Sequence, residues 1–366
     1  MKMTFRWYGP GQDPVPLAYI RQIPGVRGVV STLMEQKAGS VWPADEIRRL
    51  KDTVKEAGLE LEVIESVNVH EDIKRGLPTR DEYIEHYIRT IEALGEIGIR
   101  VICYNFMPVF DWTRTRLDYP LPDGSTTMQY QQSVIDQVED PQSFADSIQR
   151  SAAGFLLTGW EPDRLTRLRD LFAAYEGVSH EALFQNLVYF LKAILPACEK
   201  AGIRMAIHPD DPPWDIFGLP RIAYSKETLD RIITEVDHPC NCITFCTGSL
   251  GADPANDLPE MARYFGQKDR IAFAHIRNLK YVEPGKEFYE AAHLSIEGSL
   301  DLYQIVKALH DAGFDGYIRP DHGRMIWGEQ GRAGYGLYDR ALGAVYINGL
   351  WEAVSKGSEK RNGRRQ

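Results

Sequence analysis

The chain has 366 residues, 43% of them hydrophobic and 26% charged, the composition of a soluble globular protein long enough to bury a sizeable core. A formal net charge of -10 disfavours a general nucleic-acid or anionic-membrane surface, although a cleft can still hold local positive charge for a small anion. No apolar run approaches the roughly 18 to 20 residues that span a bilayer, and the opening Met1–Trp7 lacks the apolar core and cleavage site of a signal peptide, so a cytoplasmic location is expected.

In chain order, Thr4–Tyr8 reads as a short aromatic strand cut off by Gly9-Pro10-Gly11. Gly28–Leu33 is a second, β-branched run. Pro43 then opens a helix with Asp45 and Glu46 in its first turn, and Gly58 closes it. Leu59–Ile64 is a third strand, Asp81–Ile97 repeats apolar residues at helical spacing, and Arg100–Phe106 is a fourth strand. From Met107 to about residue 178 the alternation breaks. This stretch holds Asp111-Trp112-Thr113-Arg114, Pro122-Asp123-Gly124 and polar, helix-like segments such as Glu161–Tyr175, so it reads as a long helical insertion after the fourth strand. Its aromatic and arginine content near Trp112 and Arg116 suits a cover over a site. Alternation resumes with a helix over Glu181–Lys200 and the strand Ile203–Ile207. A helix at Lys226–Val236 leads to the strand Cys242–Phe245, and one at Leu258–Phe265 leads to Ile271–Ala274. Ser299–Ala312 is helical and precedes the strand Gly316–Ile318. A last helix covers Leu337–Val354, and residues 355–366 read as a charged, disordered tail.

Eight strands alternating with helices, with no linker and no second core composition, predict one α/β domain over residues 1–354, a (β/α)8 TIM barrel. The rival, a doubly wound sheet, usually carries a glycine-rich phosphate loop after its first strand, and Gly9-Pro10-Gly11 lacks the G-x-G-x-x-G continuation. In a barrel all strand C-termini face one mouth. His208, Cys246, His275 and Asp321 then stand at the ends of strands five to eight, which are neighbours around it. Two imidazoles, a thiolate and a carboxylate would suit Zn(II), Fe(II) or Mn(II), and the thiolate by itself favours zinc. The five cysteines are scattered and odd in number, which suits reduced thiols. Cys240-Asn241-Cys242 lacks the partner pair of a zinc ribbon. Arg6, Trp7, Asn105 and Arg277 lie at other strand ends, and His70 just beyond the third. All five are candidates for holding a substrate, Arg277 as a clamp on a carboxylate.

The segments Ala206–Pro213, Thr244–Gly251, Phe273–Asn278 and Arg319–Arg324, with Val69–Lys74 and Gly334-Tyr335, resemble the signature segments of the D-mannonate dehydratase family nearly end to end, the charged tail excepted. The resemblance implies a metal-dependent barrel related to xylose isomerase. It implies dehydration of D-mannonate to 2-keto-3-deoxy-D-gluconate in hexuronate (glucuronate) breakdown, with Mn(II) (Mn2+) or Fe(II) (Fe2+) rather than zinc. It also implies that His322 and Tyr335 are the acid/base pair, without saying which one takes the C2 proton. His322 follows Asp321, so strand alternation turns it to a different side of the mouth. Two other activities fit part of this pattern. A metal-dependent sugar isomerase or epimerase on the same barrel would commonly use a carboxylate-rich metal site, which the cysteine argues against. A non-catalytic sugar-acid-binding protein would have no need of His322 and Tyr335. The expected partners are a small sugar acid and further copies of the chain in a homo-oligomer, a dimer or a higher assembly through the insertion, with neither nucleic acid nor membrane.

Overall fold

The βα alternation folds into parallel strands that close on themselves. The computed structural model describes residues 1–152, 154–155 and 168–363. Its strands in chain order are β1 (Lys2–Arg6), β2 (Gly28–Ser31), β3 (Glu60–Glu65), β4 (Val101–Tyr104), β5 (Arg116–Pro120), β6 (Thr126–Gln131), β7 (Arg204–Ile207), β8 (Asn241–Cys246), β9 (Ile271–Ile276), β10 (Asn278–Glu283), β11 (Glu287–Ala291) and β12 (Tyr317–Pro320). Eight of them form a closed barrel in the order β1-β2-β3-β4-β7-β8-β9-β12, all parallel. These are the eight strands expected from the sequence, and the α/β TIM barrel is what they build.

The strands form where apolar and β-branched residues run together. β8 and β9 are buried along their whole length, as strands covered on both faces must be. One small apolar cluster draws Val30, Val63, Val101, Cys103, Ala206, Cys242, Ala272, Phe273 and Tyr317 from seven different barrel strands. Only the barrel interior brings seven strands together, so this cluster is the floor beneath the mouth. The larger core lies between strands and helices. The helix Ala44–Glu56 buries Ile47, Leu50 and Val54, one stripe at helical spacing. The helix His180–Ala201 starts at Ser179, whose side chain accepts the Ala182 N–H, and stops at Gly202 in the left-handed conformation. Each cap fixes where the chain turns into the next strand.

Two details differ from the sequence-based expectation. The insertion is not wholly helical. It opens with a hairpin, β5 and β6, around the Pro122-Asp123-Gly124 turn, and a second hairpin, β10 and β11, follows β9. β6 pairs with β11 in antiparallel register (Phe288 opposite Tyr130), giving a second sheet in the order β10-β11-β6-β5. The apolar positions of Thr126–Gln131 become legible as strand only once β11 supplies a partner for them. Helices at Gln132–Ile135, Pro141–Ser151 and Leu168–Ala174 follow β6. Of the helix expected over Glu161–Tyr175, residues 161–167 lie outside the described residues. The last helix runs over Tyr338–Gly363 and so takes in most of the stretch expected to be a disordered tail. Lys, Glu and Arg are good helix formers, and the Glu352–Lys356 pair lies at i,i+4. No helix among the described residues is long and apolar enough to cross a membrane.

Candidate active site

The mouth of the barrel opens into a cavity. Arg6 and Tyr8 line it from the end of β1, Glu65 and Ser66 from β3, Asn105 from β4, and His208 and Asp211 from β7. Arg319, Asp321 and His322 come from β12, Tyr335 from the loop beyond it, and Asp111 and Trp112 from the insertion. Trp112 meets the His322 ring edge-on, with centroids 6.5 Å apart, so the start of the insertion does cover the mouth.

Barrel register brings three metal-competent groups together. Cys246 on β8 lies opposite His275 on β9, and His275 lies opposite Arg319 on β12. Donor atoms of His208, Cys246 and His275 all fall within 4.8 Å of one another. Burial and the charge of Asp321 would raise the Cys246 thiol, but Arg277 and hydrogen bonds with His208 and His275 outweigh them and bring it down to about 5. It is therefore a thiolate at neutral pH. The Ser249 hydroxyl donates to this sulfur at 3.1 Å. His208 is buried, which alone would lower its pKa, yet its hydrogen bond and charge interaction with Cys246 raise it to about 9. Its Nδ1 donates to the Pro209 carbonyl at 2.7 Å, leaving Nε2 as the other ring donor atom. His275 is fully buried, and its Nε2 makes no hydrogen bond, with Glu65 standing 3.5 Å away. A buried thiolate beside an orphaned imidazole nitrogen fits a divalent cation. A second trio, Glu65, Cys103 and His275, meets the same spacing. It is the poorer donor set, because burial holds the Cys103 thiol well above its usual range and Arg319 already occupies the Glu65 carboxylate.

Asp321, expected as the fourth ligand, sits next to this group, 3.5 Å from the Cys246 sulfur and 3.9 Å from His275 Nδ1. Both of its oxygens are engaged by guanidinium groups, Oδ1 by Arg319 at 2.8 Å and Oδ2 by Arg277 at 2.7 Å. Burial would raise this carboxyl, but the charges of His322, Arg319, His275 and Arg277 hold it well below the usual range.

His322 and Tyr335 meet as expected, with His322 Nε2 2.9 Å from the Tyr335 hydroxyl. Gly334, at φ +77, makes the approach possible, since a Cβ there would stand 2.5 Å from the Met128 methyl. Burial pushes the Tyr335 phenol well above its ordinary value, so in this state it keeps its proton. The other face of the imidazole meets a residue that the sequence did not point to. Glu290 on β11 lies 2.8 Å from His322 Nδ1. The same Glu290 oxygen accepts from Arg114 and Arg277, and both arginines also hold Asp211. Arg114 and Arg277 are completely buried. This ionic cluster ties the insertion, the second hairpin and the barrel end into one wall.

The other expected substrate contacts divide in two. Arg6 and Asn105 reach the cavity. Trp7 does not, because its indole N–H donates to the Val15 carbonyl at 3.2 Å and the ring packs into the core. His70 instead caps the helix Glu71–Arg75 by accepting the Asp72 N–H, and stacks on Tyr83 at 3.6 Å. Arg277 lies behind the wall, neutralised by Asp321, Asp211 and Glu290, and is no free clamp for a carboxylate. Arg6 differs. It is buried and its guanidinium packs 4.4 Å over the Tyr8 ring, yet among the described residues no carboxylate lies within ion-pair distance of it.

Residues 1–361 match the family model for D-mannonate dehydratase (UxuA). The mannonate dehydratase of Thermotoga neapolitana is 59% identical over 360 residues, covering 98% of this chain and 99% of that protein. The crystal structure of mannonate dehydratase from Streptococcus suis serotype 2 superposes with a TM-score of 0.88 at 47% identity, covering 98% of this chain and 96% of that one. A xylose isomerase domain protein from Planctomyces limnophilus shares the fold alone, with a TM-score of 0.55, 13% identity and coverage of 97% and 98%.

Proposed function

This chain belongs to the D-mannonate dehydratase family, and we propose that it dehydrates D-mannonate to 2-keto-3-deoxy-D-gluconate with His322 and Tyr335 as its acid/base pair. The observation that carries these roles is their 2.9 Å hydrogen bond on the cavity wall, beside the His208, Cys246 and His275 donors.

The C2 hydrogen of a sugar acid is weakly acidic because the neighbouring carboxylate is already negative. Arg6 answers that charge. Its guanidinium lines the cavity with one hydrogen bond to the Val30 carbonyl and no ion pair among the described residues, so it can take the substrate carboxylate by charge-assisted hydrogen bonds and stabilise the negative charge that grows there as C2 loses its proton. Asn105 and Ser66 offer hydrogen bonds to hydroxyls from the same wall. Of His322 and Tyr335, one removes the C2 proton and the other protonates the departing 3-hydroxyl, which otherwise leaves as hydroxide, a poor leaving group. The enol then tautomerises to the 2-keto acid, and no redox step is needed. His208, Cys246 and His275, with Asp321 at their edge, are the residues that would hold Mn(II) or Fe(II). When bound, such a cation acts as a Lewis acid that stabilises negative charge developing on substrate oxygens. Trp112 roofs the cavity and limits water access.

The test is 2-keto acid formation from D-mannonate by protein stripped with chelator and reloaded with Mn(II) or Fe(II). Stripping should abolish product and reloading should restore it. Full activity in the stripped protein would remove the metal from the mechanism, and no product with either metal in folded, loaded protein would remove the dehydration.

A further inference from the structure

We propose that Glu290 is the positioning residue of this site: it holds His322 with the proton on Nδ1, so that Nε2 is the base for the C2 proton and Tyr335 is the acid for the 3-hydroxyl. The inference rests on the acid/base roles given above to His322 and Tyr335, and decides the order between them.

An ionised carboxylate only accepts hydrogen bonds, so the 2.8 Å contact between Glu290 and His322 requires the proton to be on Nδ1. Glu290 is 1% exposed, and two fully buried guanidinium groups, Arg114 and Arg277, donate to the oxygen that faces His322. Those donors keep it an anion in a dry setting. With Nδ1 carrying the proton, the neutral form of the ring has a bare Nε2, and in that form the 2.9 Å contact makes Tyr335 the donor. In that form the couple has an open proton acceptor on His322 and a proton available on Tyr335.

The sequence of bonds closes. His322 Nε2 takes the C2 proton as the C2–H electrons move into the C1–C2 bond, and Glu290 stabilises the resulting imidazolium. Those electrons then form the C2–C3 double bond as the C3–O bond breaks, and Tyr335 supplies the proton that turns the departing hydroxide into water. Imidazolium and phenolate are left 2.9 Å apart, and one proton transfer from Nε2 to the phenolate oxygen resets both. The enol gains a proton at C3 and gives one up from its C2 hydroxyl to reach the ketone. Glu290 touches none of the reacting atoms and acts through His322.

The test combines Glu290→Gln with a measurement on the parent protein. Glu290→Gln should lower kcat by about 10²-fold or more, as expected when a carboxylate that orients a catalytic imidazole is neutralised, with KM for D-mannonate within about twofold and full Mn(II) loading. Nitrogen-15 NMR of the parent, loaded with diamagnetic Zn(II), should show His322 protonated on Nδ1, the resonance being identified by its loss in His322→Asn. This second measurement stands even where Glu290→Gln fails to fold. A kcat within about threefold of the parent, a loss explained by a raised KM or missing metal, or a parent His322 protonated on Nε2 would each overturn the proposal. The underlying acid/base roles fail separately, by normal turnover in His322→Asn itself.

Discussion

Arg6 and Arg277 show how much a single side chain's role depends on its neighbours. Both stand at strand ends, and the sequence makes both candidates for holding the substrate, Arg277 as the clamp on its carboxylate. In the fold, Arg277 is ion-paired with Asp321, Asp211 and Glu290, whereas Arg6 has no carboxylate within ion-pair distance among the described residues. Arg6→Ala should therefore raise KM for D-mannonate by roughly 10- to 100-fold, the loss of a charge-assisted interaction worth about 1.5–3 kcal/mol, while leaving Mn(II) content unchanged. Steady-state kinetics with metal analysis checks this, and an unchanged KM would remove Arg6 from carboxylate binding. The gathering of His208, Cys246 and His275, with Asp321 beside them, was legible because metal-competent residues at four successive strand ends form a pattern along the chain, and the meeting of His322 with Tyr335 was expected only through the resemblance. Glu290 was not. It sits in a hairpin after the seventh barrel strand, in Glu287–Ala291, and only the closing of the second sheet carries it to His322. Trp7 and His70 were misplaced for the converse reason, since a strand end also supplies core rings and helix caps.

At the scale of elements, the barrel strands were readable because each is an apolar run with a helix and a turn after it. The hairpin β5–β6 was hidden because β5 is mostly exposed, and because β11, the strand that pairs with β6 on its other side, comes from far along the chain. What fastens this second sheet to the barrel is the buried pairing of Arg114 with Asp211 and Glu290, at 2.7 and 2.8 Å. Removing one partner of such a pair leaves uncompensated charge in a dry place. Arg114→Ala should cost about 3–5 kcal/mol of stability, seen as a lower midpoint in urea unfolding, and should reduce turnover because Glu290 loses a donor. A midpoint equal to the parent's would show that this pair does not fasten the insertion.

Over the whole molecule, the net charge of -10 conceals a centre crowded with arginine. Burial would raise the carboxyls of Asp211 and Glu290. Arg114 and Arg277 pull Asp211 the other way, and His322, Arg277 and Arg114 do so for Glu290, so both end below their ordinary values. Carboxyls depressed in the folded state contribute stability that is complete above their unfolded pKa, about 4, and is lost as pH falls through the lower folded values. Stability measured by urea unfolding should therefore hold near neutrality and decline steeply below about pH 4. A flat profile down to pH 3 would contradict the depressed carboxyls. An acidic protein can still admit an anion, because the charge that decides binding is local rather than total.

The most direct test of how this site works is turnover of D-mannonate by His322→Asn and Tyr335→Phe, measured separately on protein with its Mn(II) content established. Both variants should bind metal like the parent and form 2-keto acid at least about 10²-fold more slowly. Near-parental product formation by either metal-loaded variant would contradict the acid/base pair on which the mechanism stands.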